Sequence, residues 1–359
     1  MGDMDTLSKM VRALLLVALL LFFLTYGASV LLPLAVAFLL WFFINALAEA
    51  YRRVAAPFFQ MPPALTLLLA SGTILAASLI VIDLVVANVA AMGQQRANVD
   101  AAITVLTKKA ADLLGVESQE VIDHVLAFIQ LDPLVSNILA GMASLASQFT
   151  VVFLYVVFLL VEQRYFDLKL RAIVPNDEKR ARVRAVLQRI GDDVQGYLWI
   201  MTIVSTLTAV LAYGVMVLVG LEQAFFWAFL IFILNFIPTI GSIIGTTLPA
   251  LYALLQFQRL APFLTVLVAV GLIQFVVGNM IQPRLAARRL NLSQFVVVLS
   301  LFAWGAIWGV VGMFLAVPIT AIMMLILANF EATRPIAMIM SESGSIDPAD
   351  RQSRLAEPR

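Results

Sequence analysis

Apolar residues in this chain fall in long blocks separated by short polar stretches, and the blocks predict helices long enough to cross a bilayer. Residues 13–50 are almost wholly apolar, interrupted near Gly27 and Pro33, and predict two short spans joined by a tight turn. Arg12 precedes this block and Arg52 and Arg53 follow it, so both its ends belong on the cytoplasmic side. A third span is predicted from Pro63 to Met92, a fourth over 147–163 and a fifth over 197–220. Lys9 and Arg12 ahead of an apolar run fit the start of a signal peptide, but the run continues to Ala48 with no small-x-small cleavage site. It reads as a retained helix.

Two further blocks are each long for one span and tight for two: residues 224–257, broken at NFIPTIGSIIGTTLP, and residues 295–330, broken at WGAIWGVVG. Charge favours reading each as a hairpin, because the cluster Arg284, Arg288 and Arg289 then lies inside and Arg259 alone outside. Re-entrant hairpins and paired full spans both satisfy this. The order from residue 197 onward becomes span, broken hairpin, span, broken hairpin, with the second unit entering from the side opposite the first. Interrupted segments in corresponding places are a pointer to a transporter's binding site.

The polar stretches complete the organisation. Residues 93–145 carry three basic residues against six acidic ones and predict an outer amphipathic helical segment. Residues 164–196 hold eight basic residues and predict a cytoplasmic helix capped at Asn176 or Asp177. The regions are thus 1–92 with three spans, 93–145 outside, 146–196 with the fourth span and the basic segment, 197–332 with the hairpins, and 333–359 as a disordered cytoplasmic tail. The fold class is all-α, polytopic and transmembrane, with two Gly/Pro-broken hairpins in the C-terminal half.

Composition supports this and excludes much else. The chain is 62% hydrophobic and 13% charged, too apolar for a water-soluble fold of 359 residues. With no cysteine and the single histidine His124, thiolate and His-cluster metal sites and a Ser-His-Asp triad inside the membrane are excluded. There is no G-x-x-x-x-G-K-[ST] loop and no G-x-S-x-G. No enzymatic activity, cofactor, metal or nucleic-acid partner is expected.

Candidate binding or gating residues follow from where helices must break. In the first hairpin they are Asn235, Pro238, Gly241, Gly245 and Pro249. Proline removes a backbone donor and glycine tolerates non-helical backbone, and a break in lipid is stable only when buried in protein or wetted. A plain kink between ordinary spans would use the same residues. In the second hairpin they are Gly305, Gly309, Gly312 and Pro318; Gly305 and Gly309 also make a GxxxG spacing that serves close helix packing. Between the hairpins, Gln274, Asn279 and Gln282 precede Pro283, and Asn279 and Gln282 are expected on one helix face. These amides suit a hydroxylated solute, or hydrogen bonds between helices. Asp83 is the plainest acid at membrane depth and the candidate for ion coupling, although an acid near the span's outer end can also reach interfacial water.

The motifs NFIPTIGSIIGTTLPAL, GNMIQPRLAARRLNLSQ and LSLFAWGAIWGVVGMFLAVPITAI resemble those of the autoinducer-2 exporter family, also called PerM-type permeases, and the span layout over residues 10–332 is similar. The resemblance implies a bacterial inner-membrane protein with cytoplasmic termini, forming homo-oligomers such as pentamers. It implies export of the quorum-sensing signal autoinducer-2 in some members and sodium/proton antiport in others. Ser242, Ala287 and Ser293–Gln294 depart from residues common in the family. The leading expectation is a secondary exporter of a small polar metabolite working by alternating access. A cation/proton antiporter and a non-transporting membrane partner are the alternatives.

Overall fold

The computed structural model describes residues 2–57, 59–94, 148–286, 291–342 and 344. Among these the protein is all-α, and the only extended pairing is an isolated bridge between Leu292 and Ser341. The expected segment 93–145 lies outside the described residues, apart from Gly93 and Gln94, which end the third helix.

Helices α1 (Gly2–Tyr26) and α2 (Ala28–Ala55) are separated by Gly27 alone. Helical bonds run through it, from Gly27 N to Phe23 O at 2.9 Å and from Leu31 N to Gly27 O at 2.9 Å. The tight turn expected within 13–50 is therefore a bend, because one residue in near-helical geometry cannot supply the loop an antiparallel pair requires. Helix α3 (Pro63–Gln94) and helix α4 (Phe149–Glu162) pack on α2 around Ala37, Ile44, Ala70, Val152 and Val156. Helix α5 (Phe166–Ile173) bends away from α4 by 66°.

The basic segment and the fifth span are one helix, α6 (Asp177–Val219). It begins as expected at Asn176, whose side chain accepts from Lys179 N at 2.9 Å, with Asp177 and Glu178 in the first turn, where they favour the helix dipole. It ends at Gly220, whose φ of 79° is the left-handed geometry of a helix C-cap.

The first hairpin is α7 (Ala224–Leu234) and α8 (Ile240–Phe257), followed by α9 (Leu260–Val276), a π-helical turn (Val277–Ile281) and α10 (Gln282–Ala286). The second lies within α11 (Gln294–Ala328), which is interrupted at Gly309 with φ 63° and ψ −145°. Helix α12 (Arg334–Met340) packs Ala337 against Leu292, Val317, Ala321 and Met324 at the foot of α11. This corrects the expectation of disorder from residue 333: the chain is ordered through α12, where Ala337 finds an apolar seat, and Ser341 bridges to Leu292.

Six of the described helices are long and apolar enough to cross a membrane, and the bent α4–α5 pair adds a seventh candidate. Apolar side chains are exposed along them, among them Leu16, Phe23, Leu68, Val210, Val268 and Phe302, as a lipid-facing surface requires. The protein is a multi-pass membrane protein.

Candidate functional site

Each hairpin turns by the same device. In the first, a Cβ on Gly241 would lie 1.7 Å from Leu234 O, so only glycine lets the return arm close on that carbonyl. In the second, a Cβ on Gly312 would lie 2.0 Å from Trp304 O. Gly305 faces Met313 across the turn, where an added Cβ would meet Met313 Cε at 2.8 Å. Gly305 and Gly309 thus serve an internal reversal rather than packing on another helix. The tip of the first hairpin is tighter still. Ile240 N donates to Pro238 O at 2.6 Å around Thr239, whose φ of 63° and ψ of −57° form a strained γ-turn.

Arm lengths bear on the two hairpin readings. The 11 residues of α7 reach about 16 Å, half the ~30 Å hydrocarbon core. The first arm of the first hairpin is therefore too short to cross alone, whereas α8 is long and apolar enough to be a candidate span. In the second, the arm 294–308 reaches about 22 Å and is also short of a full crossing.

The feet of the hairpins lie at opposite ends of α6. Gln256 closes the first foot, accepting from Glu222 N at 2.9 Å and donating to Gly220 O at 3.0 Å, beside the C-terminus of α6. The second foot, Leu325 to Asn329, lies against Arg182, Val186 and Arg189 in the N-terminal part of α6. About 30 residues of helix, roughly 45 Å, separate these levels. The tips meet between them: Phe236, in the break of the first hairpin, packs on Phe314 of the second with ring centroids 5.0 Å apart. Trp308 packs on Trp304 with ring centroids 5.2 Å apart and planes tilted by 43°, and donates from Nε1 to Leu24 O at 3.0 Å, which ties the second tip to the bend at Gly27.

Five buried side-chain polar atoms among the described residues have no partner, Tyr197 Oη, Ser205 Oγ, Gln223 Oε1, Trp227 Nε1 and Gln274 Nε2, and two of them, Ser205 on α6 and Gln274 on α9, are on helices that pack against the first hairpin. Gln274 Nε2 faces the backbone of Gly245, where a Cβ would stand 3.5 Å from it. Pro249, four residues on, has no N–H to give Gly245's carbonyl. Pro318 withholds its N–H from Phe314's carbonyl in the same way. Gln282 Nε2 approaches Met201 Sδ at 3.7 Å, and from that register Gln274 lies at about the level of Thr208, one turn from Ser205. Thr246 is buried next to Gly271.

The structure therefore brings Gly245 and Gln274 together, with Gly241 and Pro249 one turn to either side of Gly245 on α8, and places Gly305, Gly309 and Gly312 at the second turn, with Pro318 further along its return arm. Asn235 and Pro238 stand in the first break, partly buried. Asn279 does not join Gln274 and Gly245: it is exposed and its Nδ2 returns to Phe275 O at 2.9 Å. The shared face expected for Asn279 and Gln282 is lost because the π turn between them changes the helical period. Pro283 follows that turn and is exposed, and Asp83 is exposed on α3, which packs chiefly on α2. Ser205, Thr208 and Thr246 escape a sequence reading because each is a small hydroxyl in an apolar helix. Among the described residues no charged side chain is buried and no acidic or histidine cluster fits a metal.

The family model for AI-2E family transporters matches residues 12–332. The chain belongs to the AI-2E transporter family. Its relatives include the AI-2 transport protein TqsA of Escherichia coli (strain K12), 34% identical over 209 residues that cover 58% of this chain and 60% of TqsA. YhhT of the same organism is 33% identical over 185 residues, 52% of each chain. YrrI of Bacillus subtilis (strain 168) is 31% identical over 150 residues, 42% of this chain and 41% of YrrI. The matched part spans three-fifths or less of these relatives' length. YhhT and YrrI are described as transport proteins and their names give no cargo. Family and relatives point to a membrane transporter rather than an enzyme.

Proposed function

We propose that this AI-2E family member is a secondary transporter that exports a small, uncharged, hydroxyl-bearing metabolite, with autoinducer-2 as the first candidate. The observation that carries the reading is the meeting of two hairpins at Phe236 and Phe314, together with buried, unpartnered polar atoms on the helices that flank the first hairpin. A helix break inside a membrane protein is retained where it lines a site. Gln274 Nε2 and Ser205 Oγ, together with the carbonyl of Gly245, offer donors and acceptors to hydroxyl and carbonyl groups. A polar atom buried without a partner costs about 1–3 kcal/mol, which a bound solute would recover. The absence of buried charge among the described residues favours an uncharged cargo.

Alternating access then means that one hairpin withdraws while the other stays closed. The first hairpin opens toward the end of α6 at Gly220 and the second toward its basic end. By the distribution of Lys and Arg, the basic end faces the cytoplasm of a bacterial inner membrane. Cation/proton antiport needs a titrating carboxylate at the site, and Asp83 is exposed on α3.

The test is the ratio of internal to external autoinducer-2 in cells lacking their own exporter, with and without this protein. A Gln274→Leu variant confirmed to reach the membrane is the control. Export lowers the ratio and the variant restores it. An unchanged ratio with well-inserted protein removes autoinducer-2 as cargo.

A further inference from the structure

A cleft of about 220 Å³ lies between the N-terminal part of α6 and the foot of the second hairpin, lined by Arg182, Ala185, Val186, Arg189, Leu325, Ala328 and Asn329. It is distinct from the junction of the hairpin tips. Its lining combines two arginines seven residues apart on one helix with alanine, valine and leucine, and Arg189, like Arg182, has a partner within the protein. Arg182 has an ion pair with Glu178 at 3.6 Å, but both side chains are largely exposed, and such a pair holds its arginine weakly.

The level of this cleft is fixed by α5. That helix departs from α4 by 66° and exposes Phe166, Leu168 and Ile173, with Tyr165 just before it, as a helix lying in the membrane interface does. Its Asp167 pairs with Arg184 of α6. Arg182 and Arg189 bracket Arg184, so the cleft opens at the depth of the lipid headgroups. Exposed apolar residues continue from it on both sides, Val183 and Leu187 on α6 and Met323 and Ile326 on α11. A site with two cations at headgroup depth and apolar tracks beside it has the chemistry of a phospholipid rather than of a soluble phosphate.

We propose that this cleft binds the headgroup of an anionic phospholipid, its phosphate between Arg182 and Arg189 and its acyl chains along α6 and the second arm of α11. Arginine suits this role because its planar fork meets two phosphate oxygens at once. The lipid bridges a fixed helix to the foot of a hairpin, so its occupancy bears on how readily that hairpin leaves α6.

The experiment uses the full chain purified in mild detergent, exchanged into mixed phosphatidylglycerol and phosphatidylcholine, and examined by native mass spectrometry for retained lipid. The wild type retains phosphatidylglycerol in preference to phosphatidylcholine. Arg182→Gln/Arg189→Gln lowers that retention roughly tenfold, the scale of two basic contacts near a bilayer surface. Arg164→Gln/Arg171→Gln removes the same charge from outside the cleft and leaves retention within about twofold of wild type. Ala185→Phe fills the cleft with both arginines intact and also lowers retention. Equal loss in the two double variants, or retention unaffected by Ala185→Phe, overturns the site. Displacement of the lipid by millimolar glycerol phosphate would assign the arginines to a soluble phosphate and overturn the lipid assignment.

Discussion

Trp304 donates from Nε1 to Thr320 Oγ1 at 3.2 Å, although sixteen residues separate them in one apolar stretch. In a straight helix those residues would stand about 24 Å apart. The contact forms because α11 reverses at Gly309, whose φ of 63° and ψ of −145° only glycine adopts without strain. A length of apolar sequence that could pass for one long span is therefore a hairpin. The reversal is held by an indole–hydroxyl bond and by the tilted packing of Trp304 on Trp308.

The reversal can be trapped chemically, since the natural chain has no cysteine. A Cβ on Gly305 would lie 2.9 Å from Met313 Cγ, so Gly305→Cys/Met313→Cys places two thiols within disulfide reach. The double variant is expected to oxidise to an intrachain disulfide in native membranes, read by peptide mass spectrometry. In an unbroken helix these positions stand about 12 Å apart and no bond forms.

Glycines divide sharply by what surrounds them. Gly241→Ala would press a methyl into Leu234 O and is expected to cost on the order of 3 kcal/mol or to prevent folding, seen as loss of the monodisperse species and of thermal stability. Gly214→Ala in α6 meets nothing within 4 Å and should be neutral or stabilising by up to about 1 kcal/mol.

Gln274→Leu separates a binding role from a structural one. Nε2 of Gln274 is buried without a partner, so its removal relieves an unsatisfied group worth about 1–3 kcal/mol. The variant should melt at the same or a higher temperature while solute export falls about tenfold. Lower stability with unchanged export would mean that Gln274 is packing only. Asp83→Asn, by contrast, is expected to leave export unchanged, because its side chain is exposed on α3.

Sidedness follows from the two feet. Glu222→Cys sits at the first foot and is expected to react with an impermeant maleimide added to intact cells. Glu331→Cys, just beyond the second foot, should react only after permeabilisation. Both positions are exposed, so access rather than burial decides the result.

The sequence announced the breaks because Pro238, Gly241, Gly309 and Gly312 are costly in an uninterrupted span, and it announced the start of α6 because Asn176 is a strong cap. It could not show that Leu234 O and Trp304 O are the atoms these glycines approach, since that depends on how far each return arm slides. The approach of Gln274 to Gly245 was hidden because α8 and α9 must be in register before their levels match. The π turn at Val277–Ile281 was hidden too, and with it the separation of Asn279 from Gln282. The bend at Gly27 looked like a loop because glycine serves both. The order of α12 depends on an apolar foot that only the folded hairpin provides.

The account rests on the hairpin tips parting during transport. Phe236→Cys/Phe314→Cys in this cysteine-free chain lets a short bifunctional methanethiosulfonate join the tips in membranes, and autoinducer-2 export is then compared before cross-linking, after it and after reduction. The prediction is that the cross-link forms, export stops and reductant restores it. Export that continues undiminished in fully cross-linked protein would contradict the account, because the solute would then pass without the tips separating.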